Sequence, residues 1–142
     1  MLNLIKFKSD VSDWIYDFVS QYNSELEAIP CPFAKQALNN NRIAWAFAEN
    51  CIDVYNICYD YSYDNIWNNK EVVIIGLDPK NITAEDLSDH IKRLNKEILM
   101  PKGYIALDDH PDDEEIINNV KMNQGKWAMV LIQSTSKLIQ AS

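Results

Sequence analysis

The feature that most constrains this chain is a run of four β-branched residues, VVII, at positions 72–75. Consecutive apolar side chains point to both faces of a strand, so both faces need a cover. Pro79 ends the run, and Thr83 with Asp86 then has the pattern of a capping box for a helix over 84–98. The run therefore predicts a central strand packed between layers of helices.

Apolar spacing predicts further elements on both sides of this strand. In chain order they are a helix over 11–22 with Ser9 or Asp10 as N-cap, a short helix from Pro32, a strand over 42–49, a strand over 104–107, a short helix after Asp112 that covers Ile116, Ile117 and Val120, and a helix over 136–141. Two segments stay open. The segment 51–67 fits a helix or a half-buried strand, with Asn50 as N-cap favouring the helix, and 127–132 fits a strand or a buried helix.

Strands that alternate with helices predict an α/β fold, with α+β as the alternative. A chain of 142 residues without repeats or linkers fits a single domain over 1–142. We expect a small layered sandwich in which helices cover a three- or four-stranded sheet.

Charge and cysteine content limit the partners. Twenty-one acidic against thirteen basic residues give a formal net charge of −8, which repels nucleic-acid phosphates. No segment approaches the roughly 18 apolar residues of a membrane span, and the first residues lack a signal-peptide pattern. Three cysteines without a CxxC pair indicate reduced thiols. We therefore expect a cytoplasmic protein that binds neither nucleic acid nor membrane.

Cys31 lies between Pro30 and Pro32. Because proline suits the first position of a helix, Cys31 is predicted to be the N-cap of a short helix. The positive end of the helix dipole would there favour a thiolate, which is a nucleophile and a metal ligand. A buried structural cysteine is the alternative, and a thiolate ligand to haem is a weaker one.

His110 follows the predicted strand 104–107 and has four aspartates within three residues. We expect it to lie in a crevice beyond the strand ends, as base or metal co-ligand beside Cys31, with Asp108 or Asp109 orienting its other ring nitrogen. Cys31, His110 and Asp108 together form a candidate set for a divalent metal such as zinc or iron. The alternative is a solvated acidic turn.

The chain also resembles a bacterial protein family of unknown activity. The shared features are a helix around Trp14, the CPFA segment with its lysine at 31–35, an apolar strand that ends near a proline, an amphipathic helix, and a strand that leads into His110-Pro111. The chain departs from this pattern at Asp109, where the family usually has an aromatic residue, and lacks the family's C-terminal His and Arg. The resemblance implies the layered fold and a special standing of Cys31 and His110.

Two functions fit these residues. The first is a small cytosolic enzyme or ligand-binding protein that uses Cys31 with His110, and whose acidic rim favours a cationic or amine-bearing small molecule. The second is a non-catalytic module that binds a protein partner through acidic residues and the tyrosines of 55–63. An Asn- and Ile-rich composition fits an AT-rich genome, such as that of many phages, in which small acidic effectors occur. A cleft shared by Cys31 and His110 would favour the first function.

Overall fold

The computed structural model describes residues 2–63 and 70–135. The helices are α1 (Leu2–Trp14), α2 (Ala34–Asn39), α3 (Cys51–Tyr63) and α4 (Ala84–Leu94). The strands are β1 (Ile43–Phe47), β2 (Val72–Leu77), β3 (Tyr104–Asp109), β4 (Ile116–Ile117), β5 (Val120–Lys121) and β6 (Ala128–Ser134). A π-helical turn, Ile15–Val19, continues α1, and a second one, Asn95–Leu99, continues α4.

Four of these strands form a mixed sheet in the order β1-β2-β6-β3. The strands β1 and β2 are parallel, and β6 runs antiparallel to both β2 and β3. All six residues of β2 are buried, which confirms the predicted central strand. The segment 127–132, for which the sequence fits a strand or a buried helix, forms a strand from Ala128 onward. This strand is β6, which lies between β2 and β3.

Helices cover both faces of the sheet, so the predicted α/β sandwich is confirmed. On one face, α3 and α4 pack on Val73 and Ile75. On the other face, α1 and α2 pack on Val72 and Ile74. The alternation of side chains along β2 thus sends neighbouring residues into two separate cores.

Two predicted N-caps are present. The hydroxyl oxygen of Thr83 accepts a hydrogen bond from the backbone N–H of Asp86 at 3.1 Å, at the start of α4. The side-chain oxygen of Asn50 accepts from the N–H of Asp53 at 3.0 Å, at the start of α3. This cap satisfies one of the unpaired N–H groups at the start of a helix. Residues 51–63 of the open segment are therefore helical, as the cap favours, and the rest of that segment lies outside the described residues.

The first helix begins earlier than predicted. It starts at Leu2, so Ser9 and Asp10 lie inside it and the predicted N-cap is wrong. The reason is Phe7, which is fully buried against the sheet and extends the apolar stripe toward the N-terminus. The helical segment ends at Val19 rather than at 22.

The helix predicted after Asp112 is wrong, because β4 and β5 form a hairpin instead. Its two turn residues, Asn118 and Asn119, have φ of +52° and +68°. Asparagine tolerates this left-handed conformation, and two such residues in succession form the turn that suits a tight hairpin. The side chains of Ile116 and Ile117 are 58% and 43% exposed, so they do not form the buried helical stripe that was expected.

The helix predicted over 136–141 lies outside the described residues. Within 2–63 and 70–135, no helix has both the length and the apolar character needed to cross a membrane.

Candidate functional site

A cleft of about 510 Å³ opens at the end of β3. Its walls include the helical segment 2–19, the loop before α2, and the segment 110–115 after β3, which we call the acidic loop. Its lining combines aromatic and acidic side chains with a thiol and an imidazole, among them Trp14, Phe18, Cys31, Asp109, His110 and Glu115. The structure thus brings Cys31 and His110, 79 positions apart in the sequence, to one cleft.

His110 is buried, and backbone groups engage both of its ring nitrogens. Its Nε2 lies 2.7 Å from the carbonyl oxygen of Ile82, and its Nδ1 accepts a hydrogen bond from the N–H of Asp112 at 3.0 Å. Because Nδ1 accepts, the proton is on Nε2, and we assign the neutral Nε2–H tautomer. The exposed carboxylate of Asp112 is 3.9 Å from Nδ1, too far for a hydrogen bond.

These contacts change the expected role of the imidazole. The sequence predicts that Asp108 or Asp109 orients the ring. In the structure, two backbone groups do so instead. Proton transfer from Cys31 would require Nδ1 to give up its bond to Asp112. The role of His110 as a base therefore stays a prediction. Its hydrogen bond to the N–H of Asp112 in the acidic loop is a feature of the structure.

Cys31 is not the N-cap of α2, contrary to the prediction. The helix begins at Ala34, and its N-cap residue is Phe33, whose side chain makes no capping hydrogen bond. The N–H of Cys31 instead donates to the carbonyl oxygen of Val19 at 2.8 Å, which ties it to the end of the π-helical turn. The half-buried Cys31 thiol lines the cleft and does not cap the helix.

Asp109 is half-buried at the end of β3, and among the described side chains Asn123 is the one that donates a hydrogen bond to it. Burial raises the pKa of the Asp109 carboxyl, and the nearby Glu115 and Asp108 raise it further, while the Asn123 hydrogen bond lowers it. A carboxyl group in this position is costly to ionise unless a positive charge comes close to it.

The predicted metal set is not assembled. In the part of the chain that the structure describes, no three His, Cys, Asp or Glu side chains form a group that could hold a metal ion. Cys31, His110 and Asp108 all line the cleft, but backbone partners already engage both nitrogens of the imidazole. These three residues therefore do not support a metal centre.

A second, mostly apolar cavity of about 220 Å³ adjoins the cleft. It lies between the sheet and the layer formed by α1 and α2. Cys31, Asp109 and Leu131 line both cavities. This cavity was not predicted from the sequence. The available signal was the pair Ala34 and Ala37, two small residues on the side of α2 that lines the cavity.

Comparisons of this chain with protein-family models, with curated proteins and with solved structures found no significant match. The resemblance to the bacterial family with a CPFA segment therefore stays a prediction. Function has to be inferred from the cleft and its neighbouring cavity.

The tyrosines predicted to bind a protein partner do not form one exposed surface as far as they are described. Tyr55 packs against the core, and its hydroxyl group donates to the carboxylate of Glu97 at 2.8 Å. Tyr59 is 50% exposed, and the side chains of Tyr61 and Tyr63 lie outside the described residues. Binding of a protein partner through this segment stays a prediction.

Proposed function

We propose that this protein is a ligand-binding protein whose cleft takes a small molecule with an ammonium group. The observation that carries the proposal is the half-buried carboxyl of Asp109, which lines the cleft with Asn123 as its described side-chain donor. The volume of the cleft, about 510 Å³, lies in the range usual for small-molecule sites.

Electrostatics favour a cation at this position. Burial and the neighbouring carboxyls raise the pKa of Asp109, which means that its ionised form is poorly stabilised in the free protein. An ammonium group beside Asp109 would supply the missing charge, and partial burial strengthens the attraction relative to bulk water. The net charge of −8 would also attract a cation at long range.

The geometry supports binding better than it supports catalysis. A thiol nucleophile needs a base within hydrogen-bond reach, and backbone groups engage both ring nitrogens of His110. We assign His110 a positioning role, because it connects the acidic loop at Asp112 to Ile82, which precedes α4. Cys31 contributes a wall of the cleft.

The test is a titration of the ¹⁵N-labelled protein with propylamine, propanol and propanoate, followed by amide chemical shifts. We expect propylamine to shift the amide resonances around Asp109 and Asn123, and the neutral and anionic analogues to leave them in place. Asp109→Asn should abolish these shifts. Asp13→Asn is the matched control, because Asp13 is exposed and lies outside the lining of both cavities. Equal shifts with propanol, or full shifts in Asp109→Asn, would contradict the proposal.

A further inference from the structure

The cleft and the apolar cavity are neighbouring parts of one continuous site. Five residues line both of them: Trp14, Val19, Cys31, Asp109 and Leu131. The carboxyl group of Asp109 therefore lies where an acidic compartment meets an apolar one. A ligand bound at this carboxyl can extend its remaining atoms into the apolar compartment.

The apolar cavity follows the sheet for most of the length of β6. Met129 and Gln133 both line it, and they lie four residues apart, which is about 13 Å along a strand. Met129 is paired with Asp109 on β3, so the carboxyl marks one end of the cavity. Gln133 is paired with Val72 at the start of β2, which marks the other end. The cavity is thus elongated and has an acidic residue at each end: Asp109 where it meets the cleft, and Glu71, which lies 3.9 Å from the guanidinium of Arg42, at the far end.

The helical side of the cavity is also apolar. Val11 and Ile15 approach from the first helical segment, and Ala34 and Ala37 approach from α2. Water gains few hydrogen bonds in such surroundings, so an apolar cavity favours a hydrocarbon group over water. Since alanine side chains end at Cβ, α2 leaves space where larger residues would pack against the sheet.

The charges around both cavities exclude an anionic ligand. No Lys or Arg side chain lines either cavity within 2–63 and 70–135. The cleft carries Asp108, Asp113, Glu114 and Glu115 in addition to Asp109. A fatty acid would place its carboxylate among these groups and be repelled, whereas an ammonium group would be attracted.

We propose that the ligand is an amphipathic amine, whose ammonium group pairs with Asp109 and whose hydrocarbon part occupies the apolar cavity. This inference rests on the proposed function, since it takes the cationic group at Asp109 as given, and it adds the chemical nature of the rest of the ligand. Each methylene group moved from water into the cavity should strengthen binding roughly fourfold.

The experiment measures the affinity of propylamine, pentylamine and octylamine by calorimetry, below the concentrations at which octylamine aggregates. At roughly fourfold for each methylene, we expect affinity to rise on the order of 1,000-fold over the five additional methylenes. Ala34→Leu should fill part of the cavity and remove most of this gain, while propylamine still binds. Ala34→Ser, which keeps the small side chain, is the matched control.

A measurement on the wild-type protein keeps the test independent of how well a variant folds. Nuclear Overhauser contacts should appear between the terminal methyl of bound octylamine and Ile74 or Val72, both of which line the apolar cavity and not the cleft. If octylamine binds no more tightly than propylamine, or its methyl contacts neither residue, the amphipathic ligand is ruled out and the cationic site survives. If octanol binds as well as octylamine, the cationic site fails. If no amine binds, both proposals fail.

Discussion

The Nε2–H group of His110 donates to the carbonyl oxygen of Ile82 at 2.7 Å, across 28 positions of the chain. On the other side of the ring, Nδ1 accepts from the N–H of Asp112. The imidazole therefore braces the acidic loop against the segment that precedes α4. His110 therefore shapes the acidic cleft through its two hydrogen bonds to the backbone.

Replacing His110 by alanine should lower the stability of the fold. The substitution removes the hydrogen bond to the Asp112 N–H and leaves the carbonyl of the buried Ile82 without its partner, and a buried unsatisfied group costs about 1–3 kcal/mol. Urea denaturation measures the loss, with His90→Ala as the control at the other, less buried histidine. Equal losses in the two variants would contradict the bracing role. In the wild-type protein, the ¹⁵N spectrum of the ring should show a protonated Nε2 and an unprotonated Nδ1.

Asp109→Asn should make the unliganded protein more stable at neutral pH. A carboxyl whose pKa is raised by folding binds its proton more tightly in the native state, so stability falls as pH rises from the unfolded pKa through the folded one. The asparagine removes that loss and can still accept from Asn123. We expect a higher melting temperature at pH 7, where 1 kcal/mol corresponds to roughly 3–5 °C in a chain of this size. The difference should shrink toward pH 4, and a variant less stable than wild type at pH 7 would refute the expectation.

Asp10→Asn should have the opposite effect. The Asp10 carboxylate accepts from the Trp127 indole at 2.8 Å and lies 3.1 Å from the Lys126 ammonium. The Trp127 hydrogen bond lowers the pKa of Asp10, so its contribution is present above the unfolded pKa and is lost as pH falls through the folded one. We expect a loss of about 1 kcal/mol at pH 7 that closes under acid conditions. Thermal melts across this range check it against Asp13→Asn, and a gap that does not change with pH would count against it.

Gly76→Ala should be destabilising although Gly76 lies in a buried strand that favours larger residues. A Cβ at this position would lie 2.6 Å from the ring of Phe7, which is fully buried, so the ring or the strand would have to shift. Overpacking of this kind costs about 1–3 kcal/mol. A double-mutant cycle with Phe7→Leu measures the coupling, because the smaller side chain should relieve part of the clash. Additive losses would show that the ring is not the cause.

The rate at which Cys31 is alkylated should fall when a ligand occupies the two cavities. The Cys31 thiol is half-buried and lines both cavities, whereas burial raises the pKa of Cys58 to about 12. In the native protein, iodoacetamide should therefore modify Cys31 well before Cys58, as followed by mass spectrometry of the peptides. Saturating octylamine should slow the reaction at Cys31, and octanoate should not. Modification of Cys31 at the same rate with octylamine bound would place the ligand elsewhere.

Local chemistry predicted much of the fold. The apolar run at 72–75 specifies a strand covered on both faces, and the hydroxyl of Thr83 caps α4 as its spacing to Asp86 indicates. Local chemistry also explains one error. The pair Asp112 and Glu115 matches a capping box, but the turn at 118–119 favours a hairpin more strongly.

The site was harder to predict, because its contacts join distant segments. The prolines beside Cys31 indicated a helix start, yet the carbonyl of Val19 takes the Cys31 N–H. The Ile82 carbonyl likewise accepts a hydrogen bond from the imidazole of His110. The two residues are 28 positions apart, so no local pattern predicts this contact. Sequence spacing could therefore name some residues of the cleft, among them Cys31 and His110, but it could not assign their partners.

The position of β6 determines when this protein can acquire its site. It is the last described strand, and in the four-stranded sheet it lies between β2 and β3. Strand β3 is at the edge of this sheet and, among the described strands, pairs with β6 alone. During synthesis, β3 therefore has no pairing partner in the sheet until residues 128–134 have left the ribosome. Both cavities include Leu131, so neither is complete before that moment. Strand β2 is complete at residue 77, so its edge toward β6 stays unpaired while residues 78–127 are made, and an exposed strand edge of this kind makes a nascent chain prone to aggregate.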